Sequence, residues 1–363
     1  MLPLPVKRTS SPTQHVSEPV LGSSSNPIPV ISLFCGAGGL DCGFRQENFK
    51  SIFACDNDKA AVNTYNFNTS DKVAILKDLS TAKPKEVISL IEQSALSAAP
   101  MGILGGPPCQ GFSQGNVYST LDDPRNILPF KYAKILGALN QKYQLKFFVF
   151  ENVIGLTNKR HAGRFKKIKK AFSDAGFHIF EKKLNAKLFG VPQSRSRLFL
   201  VGLNSDLYSE DDFEFPTGQE TTQTVRQALG GLPTPYFFSR GADPQEFPHH
   251  PNHWTMAPKS SKFGTIFQGN SRSFRVLSWD LPSPTVAYGH REIHIHPNGM
   301  RRLSIYEAML LQGFPTTYRL LGTLSEQVTQ VSNAVPPPVA RALAKSIKTA
   351  LKRAHQYALT SRK

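Results

Sequence analysis

The sequence predicts an α/β protein built on a mostly parallel β-sheet with helices on both faces. Short and almost continuously apolar runs, at 30–34, 101–106 and 146–153, alternate with segments of helical periodicity. Strands buried on both faces lose the alternation of apolar and polar residues, so these runs favour a parallel sheet that helices cover. From about residue 204 to residue 284 prolines are frequent and clean periods are few. This change predicts a second, smaller and loop-rich domain.

The individual elements follow from the same signals. The predicted strands are 30–34, 51–58, 101–106, 146–153 and 197–203. The predicted helices are 59–68, 163–177, 304–314 and 337–359. A glycine-rich turn follows the first strand, which is typical of a buried strand that leads into a helix. Residues 1–26 are rich in serine and proline and predict a disordered tail.

The chain carries a large excess of positive charge. Its 363 residues include 43 Lys and Arg against 26 Asp and Glu, a formal net charge of +17. Such an excess indicates a polyanionic partner, most often nucleic acid. In the helix predicted at 163–177, lysines lie opposite Phe165, Ile168 and Phe172. We interpret these lysines as a solvated helix face, with a DNA contact as the alternative.

Cysteine and histidine usage argues against a metal site. The four cysteines include no C-x-x-C pair, so neither a metal cage nor a disulfide framework is expected, and a reducing cytoplasm fits. The segment FPHHPNHW carries His249, His250 and His253, but its prolines favour a loop and no cysteine lies nearby. No apolar run reaches the ~18 residues that a membrane span needs, and no signal-peptide core is present.

Chemically capable residues follow four predicted strands. They are the glycine loop FCGAGG, Asp56, the Cys109 loop GGPPCQGFSQGN and the pair Glu151-Asn152. Ligands of open parallel sheets bind at the carboxyl ends of the strands. The convergence of these four strand ends therefore predicts one site.

The first two strand ends favour a nucleoside cofactor. FCGAGG lacks the G-x-G-x-x-G spacing of a dinucleotide site and the lysine of a phosphate loop. Asp56, twenty residues after Gly36, is placed to accept hydrogen bonds from ribose hydroxyls, and Asp78 is placed to accept an adenine amino group. S-adenosylmethionine fits this pattern better than NAD. The alternative interpretation is a plain tight turn followed by an aspartate that caps a helix.

The third and fourth strand ends favour nucleophilic chemistry. Pro107 and Pro108 hold Cys109 on a stiff loop, and a nucleophilic thiolate needs both fixed orientation and a lowered pKa. Arg195 and Arg197 alternate before a strand, which predicts that both face one side. Glu151 supplies a carboxyl that donates or accepts a proton. Thiolate, carboxyl and guanidinium groups together suit attack on an electron-poor ring.

With these residues in place, the chain closely resembles the DNA (cytosine-5)-methyltransferases in their bacterial modification-enzyme form. The resemblance covers most of residues 29–350. The motifs occur in the family's order: LFCGAGG, GGPPCQGFS, DPRNIL, FENV, QSRSR, a variable region, RRLSIYEAMLLQGFP and QVSNAVPPPVA. Ser32 departs from the pattern, because the family usually has aspartate before Leu-Phe. The departure concerns the methionine end of the cofactor site.

The resemblance implies a Rossmann-like S-adenosylmethionine-dependent methyltransferase with a small target-recognition domain. Cys109 would attack C6 of cytosine, Glu151 would bind N3 and the exocyclic amine, and Arg197, with Arg195, would hold the carbonyl oxygen of the base. The cytosine would be flipped out of the duplex, and the segment 110–126 would close over it. The implied segments are a tail (1–26), a catalytic domain (27–203), a recognition domain (204–286) and a returning C-terminal segment (287–363).

The resemblance also implies contact residues. Those for the cofactor are Phe34, Gly36, Gly38, Asp56, Asn57, Asp78, Pro107, Leu128, Asn333 and Val335. Those for DNA are Gln110, Ser113, Arg272, Arg275 and Thr285. Phe34 would stack on adenine, while the alternative for Asn333 is a helix cap. No metal is expected.

Three alternatives remain at this stage. A transfer RNA cytosine-5 methyltransferase would use the same chemistry, although the long variable region favours DNA. A non-catalytic DNA-binding relative is disfavoured by the intact cysteine, glutamate and arginines, and an NAD enzyme by the loop spacing. We expect a cytoplasmic, nucleoid-associated monomer that acts on double-stranded DNA, without membrane attachment. A cognate restriction endonuclease, acting separately, is the partner that the resemblance raises.

Overall fold

A seven-stranded sheet forms the centre of the protein in the computed structural model. The structure describes residues 26–94, 98–108, 124–247, 249–259, 263, 270–271, 274–285 and 294–360. The first eight strands are β1 (Ile28–Leu33), β2 (Phe49–Asp56), β3 (Ala74–Leu76), β4 (Gly102–Gly105), β5 (Phe147–Val153), β6 (Phe177–Asn185), β7 (Gln193–Ser194) and β8 (Ser196–Asn204). Their order across the sheet is β3-β2-β1-β4-β5-β8-β6, and β7 lies outside it.

Nine helices are described. They are α1 (Gly39–Arg45), α2 (Lys59–Phe67), α3 (Pro84–Gln93), α4 (Leu128–Tyr143), α5 (Ala162–Asp174), α6 (Val225–Leu229), α7 (Ile305–Leu311), α8 (Leu324–Asn333) and α9 (Pro337–Thr360). Within the described part of the chain, no helix combines the length and apolarity needed to cross a membrane.

The sheet is mostly parallel, as the apolar runs predict. Strands β1 to β5 pair in parallel, whereas β8 is antiparallel to both of its neighbours, β5 and β6. Because β8 runs backwards, its first residues lie at the edge where β5 ends: Arg197 pairs with Val153. The reversal therefore adds the beginning of one strand to the carboxyl ends of the others.

Each face of the sheet has its own apolar core. On one face, α3, α4 and α5 bury side chains such as Val87, Tyr132 and Phe172, all 0–1% exposed. On the other face, α1 and α9 pack together over residues such as Phe44 and Leu343. Burying a large apolar side chain contributes roughly 1.5–3 kcal/mol, so both helical layers are fixed to the sheet by burial.

The end of the chain returns to the first helix. A side-chain Cβ at Gly43 would lie 2.3 Å from the carbonyl oxygen of Pro337, and one at Gly39 would lie 2.4 Å from that of Val335. Because such distances are far below van der Waals contact, α1 needs glycine at both positions. The close approach places the segment before α9 directly beside the turn that follows β1.

The described elements between β8 and α7 are short, in agreement with the irregular sequence of this region. Its strands are β9 (Tyr236–Phe237), β10 (Trp254–Thr255), β11 (Asn270–Ser271), β12 (Phe274–Val276), β13 (Ser283–Pro284) and β14 (His294–Ile295). β13 pairs with β7 and thereby connects this region to the segment that leads into β8. The boundaries 204–286 of a separate domain stay a prediction.

Candidate active site

The predicted strand ends meet at one edge of the sheet, which we call the carboxyl edge. Neighbouring strands bring together the glycine loop after β1, Asp56 at the end of β2, Asp78 after β3 and Pro107 after β4. Glu151 lies near the end of β5 and Arg197 near the beginning of β8, two positions apart in register. Cys109 follows Pro107 by two residues and lies outside the described residues.

The glycine loop is held open by Asp56. One carboxylate oxygen of Asp56 accepts the backbone N–H of Gly36 (2.8 Å), and the other accepts that of Asp58 (2.9 Å). Burial raises the pKa of Asp56, whereas these backbone hydrogen bonds act to lower it. Phe34 and Gly36 adopt positive φ values of 54° and 51°, so the loop turns tightly around this carboxylate.

The loop leaves room for a ligand that approaches the backbone closely. A Cβ built on Gly36 meets no atom within 4 Å, and the Phe34 ring beside it is half-buried. Asn57 and Asp78 are exposed on the same edge. The pKa of Asp78 is lowered, first by a hydrogen bond from the Ser80 backbone N–H (2.8 Å), so this carboxylate is charged at neutral pH. Open space above glycine, an aromatic face and carboxylate acceptors suit a nucleoside.

The C-terminal segment completes this part of the edge. Asn333 is the last residue of α8 and is exposed, whereas Val335 is buried beside Gly39. No side-chain hydrogen bond of Asn333 is present among the described residues, so the structure offers no support for its alternative as a helix cap. Gly38 (φ 83°) packs beneath Tyr318, whose hydroxyl donates to the carbonyl of Ala37, and Leu128 is buried at the start of α4.

Ser32 is connected to a buried carboxylate from α1. Its hydroxyl donates to one oxygen of Asp41 (2.8 Å), while the hydroxyls of Ser51 (2.6 Å) and Tyr65 (2.8 Å) donate to the other. Asp41 is 3% exposed, so these three donors replace the water that a carboxylate otherwise needs. A carboxylate thus still lies against the end of β1, although α1 rather than position 32 supplies it. Asp41 was not among the site residues predicted from the sequence.

We expect Asp41→Ala to destabilise the protein by about 3 kcal/mol, because it leaves three hydroxyls without their acceptor. Ser32→Ala removes one of the three donors, and its expected cost is about 1 kcal/mol. Urea denaturation of both variants measures these free energies of unfolding. Equal costs for the two substitutions would contradict the central role given to Asp41.

Glu151 and Arg197 form a largely buried ion pair. Arg197 Nε lies 3.2 Å from Glu151 Oε1, and the two side chains are 16% and 11% exposed. Burial raises the pKa of Glu151, while the guanidinium groups of Arg197 and, less strongly, Arg195 act to lower it. The net direction is upward, which moves this carboxyl towards exchanging a proton near neutral pH.

The chain that leads to Cys109 packs against this pair. A Cβ at Gly106 would lie 3.1 Å from Glu151 Oε2, and the Pro107 carbonyl accepts the side-chain N–H of Asn152 (3.3 Å). Pro107, which is hydrogen-bonded to Asn152, precedes Cys109 by two residues, and consecutive Cα atoms are 3.8 Å apart. The residues that precede Cys109 thus contact the strand that carries Glu151, while the place of Cys109 itself in the site stays a prediction.

The two arginines of QSRSR contact different partners. Arg197 contacts Glu151, whereas Arg195 is 1% exposed and donates from Nη2 to the carbonyl of Ser332 (2.6 Å). Arg195 lies in the turn between β7 and β8 rather than in a strand. The alternation expected of a strand therefore does not extend to it, although both guanidinium groups act to lower the pKa of Glu151. That the two arginines face one side stays a prediction, as does the contact of Arg195 with the base.

Two buried glutamines that were not predicted from the sequence extend the connection between the QSRSR segment and the C-terminal segment. Gln193 donates to the side-chain oxygen of Gln312 (2.8 Å), and Gln312 donates to the carbonyl of Ala334 (2.6 Å). Arg195 and Gln312 donate to the backbone carbonyls of Ser332 and Ala334, and these two hydrogen bonds position Asn333 between them. Buried amide side chains almost always have a hydrogen-bond partner, but the sequence does not show which residue that partner is.

Of the predicted DNA contacts, Arg275 and Thr285 are described. Both line a cavity of about 440 Å³ together with Ser194, whose carbonyl accepts the Thr285 hydroxyl (2.7 Å). Thr285 thus bonds to the QSRSR segment in this structure. Gln110, Ser113 and Arg272 lie outside the described residues.

The histidines of FPHHPNHW surround the ring of Tyr306. His250 stacks on it with ring centroids 4.2 Å apart, and His253 bonds to Ser304 (2.9 Å) and to the carbonyl of Pro233 (2.8 Å). Burial lowers the pKa of His250 to about 4. These rings serve as packing and hydrogen-bonding groups, and within the described ranges no three metal-ligating side chains converge.

Comparison with known proteins agrees with this geometry. The sequence profile of the family described as C-5 cytosine-specific DNA methylase matches residues 28–349. The type II methyltransferase M.MthTI of Methanothermobacter thermautotrophicus is 34% identical over 343 residues, which cover 88% of this chain and 97% of that protein. M.FnuDI of Fusobacterium nucleatum, also a type II methyltransferase, is 34% identical over 351 residues, covering 89% and 95%.

A solved structure shows the same architecture. A protein assigned as a DNA modification methyltransferase, encoded within an E. coli prophage, superposes with a TM-score of 0.70 and 25% sequence identity. The match covers 90% of this chain and 99% of that one. The fold is therefore that of a Rossmann-like methyltransferase. The chain belongs to the C-5 cytosine-specific DNA methylase family and is a DNA (cytosine-5)-methyltransferase of the modification type.

Proposed function

We propose that the protein methylates C5 of a specific cytosine in duplex DNA, with S-adenosylmethionine as methyl donor. The observation that carries the proposal is the Glu151–Arg197 pair, which packs against Gly106 and lies three strands away from Asp56 on the same edge of the sheet. A buried carboxyl with a raised pKa and the open space beside Gly36 thus share one edge of the sheet. The donor supplies an electrophilic methyl group; Asp56, the Gly36 backbone, Phe34 and Asp78 are the residues that would hold it.

The residues of this edge suit covalent activation of the base. Cys109 thiolate adds to C6 of cytosine, while Glu151 gives a proton to N3, so that negative charge does not build up on the ring. Arg197 holds the carboxyl in place and faces the carbonyl oxygen of the base. C5 then takes the methyl group, a base removes the C5 proton, the bond between sulfur and C6 breaks to release the Cys109 thiolate, and Glu151 takes back the proton from N3.

Duplex DNA requires one further step. C6 is not reachable within a stacked helix, so the cytosine has to leave the stack at a cost of a few kcal/mol. The net charge of +17 favours the polyanionic substrate. We further propose that the methylation marks the sites of a separate restriction endonuclease, because both curated relatives are type II methyltransferases.

Transfer of a tritiated methyl group tests the substrate directly. Genomic DNA without methylated cytosine should accept label, whereas transfer RNA should not, and bisulfite sequencing of the labelled DNA should show one short recognition sequence. Label in transfer RNA alone would favour the RNA alternative. No label in either substrate, with donor binding demonstrated, would favour a non-catalytic DNA-binding protein.

A further inference from the structure

A dense group of cations lies on the side of the carboxyl edge away from Asp56. Residues 159–187 contain ten Lys and Arg but only two acids, Asp174 and Glu181. This segment therefore holds roughly half of the net charge of the chain. It comprises α5 and β6, and β6 is the last strand of the sheet.

Both acids of the segment are already paired. Lys170 Nζ lies 2.8 Å from Asp174 Oδ1, and Lys169 Nζ lies 2.9 Å from Glu181 Oε2. Lys169, Lys170 and Asp174 lie in the second half of α5, which leads away from the carboxyl edge, whereas Glu181 lies in β6. The two pairs thus neutralise Lys169 and Lys170 and leave the other cations of the segment.

Five other lysines of the segment are exposed and lie nearer the edge. We call them the lysine rim: Lys159, Lys166, Lys167, Lys182 and Lys183. Among the described residues, none of the five forms an ion pair with a carboxylate. Exposed like charges of one segment repel one another, and an anionic partner would reduce that repulsion.

Strand register fixes the distance of the rim from the site. Lys182 pairs with Phe199, which pairs with Glu151, and Lys183 is connected in the same way to Asn152. Neighbouring strands are 4.7–4.9 Å apart, so these lysines lie level with Glu151 and about 10 Å to its side. Lys166 and Lys167 lie on α5, which covers one face of this part of the sheet. Lys183 is on that face, like Glu181, whereas Lys182 is on the opposite face with Phe180 and Leu184, because side chains alternate along a strand.

We propose that the lysine rim binds the backbone phosphates of duplex DNA that flanks the target cytosine. The proposal rests on the proposed function for the position of the DNA. A helix of 13 residues is about 20 Å long, and a duplex carries one charge per about 1.7 Å of axis. Any duplex placed over Glu151 and extending towards β6 brings phosphates to these lysines. Such contacts strengthen binding without reading sequence.

The test compares charge-matched double variants. Lys166→Gln/Lys167→Gln and Lys182→Gln/Lys183→Gln remove two rim charges each, and Lys169→Gln/Lys170→Gln removes two charges of the same helix that already face acids. Each protein is titrated with a labelled random-sequence 30-bp duplex at 50–200 mM salt, and fluorescence anisotropy gives Kd. Thermal melts check that all variants fold.

The rim variants should weaken binding about 10-fold at low salt and reduce the slope of log Kd against log salt by about one to two. The control pair should change Kd less than 2-fold. Equal effects of rim and control variants would overturn the proposal, as would loss of affinity for a 30-bp RNA duplex but not for DNA. Methyl transfer is measured in parallel. If wild type methylates DNA and the rim variants bind DNA as tightly as wild type does, the proposal for the lysine rim is refuted and the proposed function is not. If the rim variants change the salt slope but wild type does not methylate DNA, the proposed function is refuted and the rim is not.

Discussion

Replacing Cys109 with serine should lower methyl transfer to DNA at least about 1,000-fold. The reason is that serine is far less nucleophilic at neutral pH than a thiolate, so C6 is not attacked and C5 is not activated. Donor binding should survive, because Asp56 at the end of β2 and Gly36 in the loop after β1 make their hydrogen bond independently of position 109. Tritium transfer measures the rate, and calorimetry measures the donor affinity.

A trapping experiment separates this role from a structural one. Wild-type protein, donor and an oligonucleotide with 5-fluorocytosine at the target position should give an adduct that survives denaturant, because fluorine cannot leave as a proton does. Cys109→Ser should give none. Adduct formation by the serine variant, or unchanged methyl transfer, would show that another group attacks the base.

The parallel part of the sheet and the residues at its carboxyl edge were predictable from the sequence. Apolar runs such as 146–153 have no polar alternation, and a strand with both faces buried is the simplest packing that explains this. The structure places this strand at Phe147–Val153. Because polar residues follow such runs directly, the positions of Glu151 and Asp56 at one edge followed as well.

Strand β6 was not predicted, for a physical reason. It is an edge strand, and its sequence FHIFEKKLN carries three consecutive exposed charged residues. Edge strands are stabilised by backbone pairing with one neighbour and tolerate charge on the open side. Hydrophobic periodicity therefore gave no signal. Only the lysines of the predicted helix 163–177 were therefore interpreted, as a solvated helix face with a DNA contact as the alternative, and Lys182 and Lys183 were not.

The contacts of buried polar side chains were also beyond the sequence. Asp41 lies in the motif LFCGAGGLDCGF, yet its three hydroxyl donors come from β1, β2 and α2. Arg195 reaches a carbonyl 137 positions later in the chain. Such partners depend on how helices return over the sheet, which local patterns do not encode. The motif identified the residues, while the fold determined what they touch.

Glu151→Gln should reduce kcat by roughly 100- to 10,000-fold while leaving DNA affinity within a few-fold of wild type. The amide keeps the size of the side chain and donates a hydrogen bond, but it cannot give a proton to N3. The buried guanidinium of Arg197 also loses its ionic partner, so urea denaturation has to show that the variant remains folded at the assay temperature. A kcat within 10-fold of wild type would refute the proton-transfer role.

The pH dependence of kcat gives this role its sharpest test. The carboxyl of Glu151 donates only while protonated, and burial raises its pKa; activity should therefore fall as pH rises through that pKa. At the acidic side, activity should fall because the Cys109 thiolate is lost, so the wild-type profile is bell-shaped. In Glu151→Gln the alkaline limb should vanish. Arg197→Gln removes the main cation that lowers the pKa of Glu151, so in that variant the alkaline limb should move to higher pH, at a lower rate. A limb that stays in place in both variants belongs to another group, and Glu151 then acts only by holding the base.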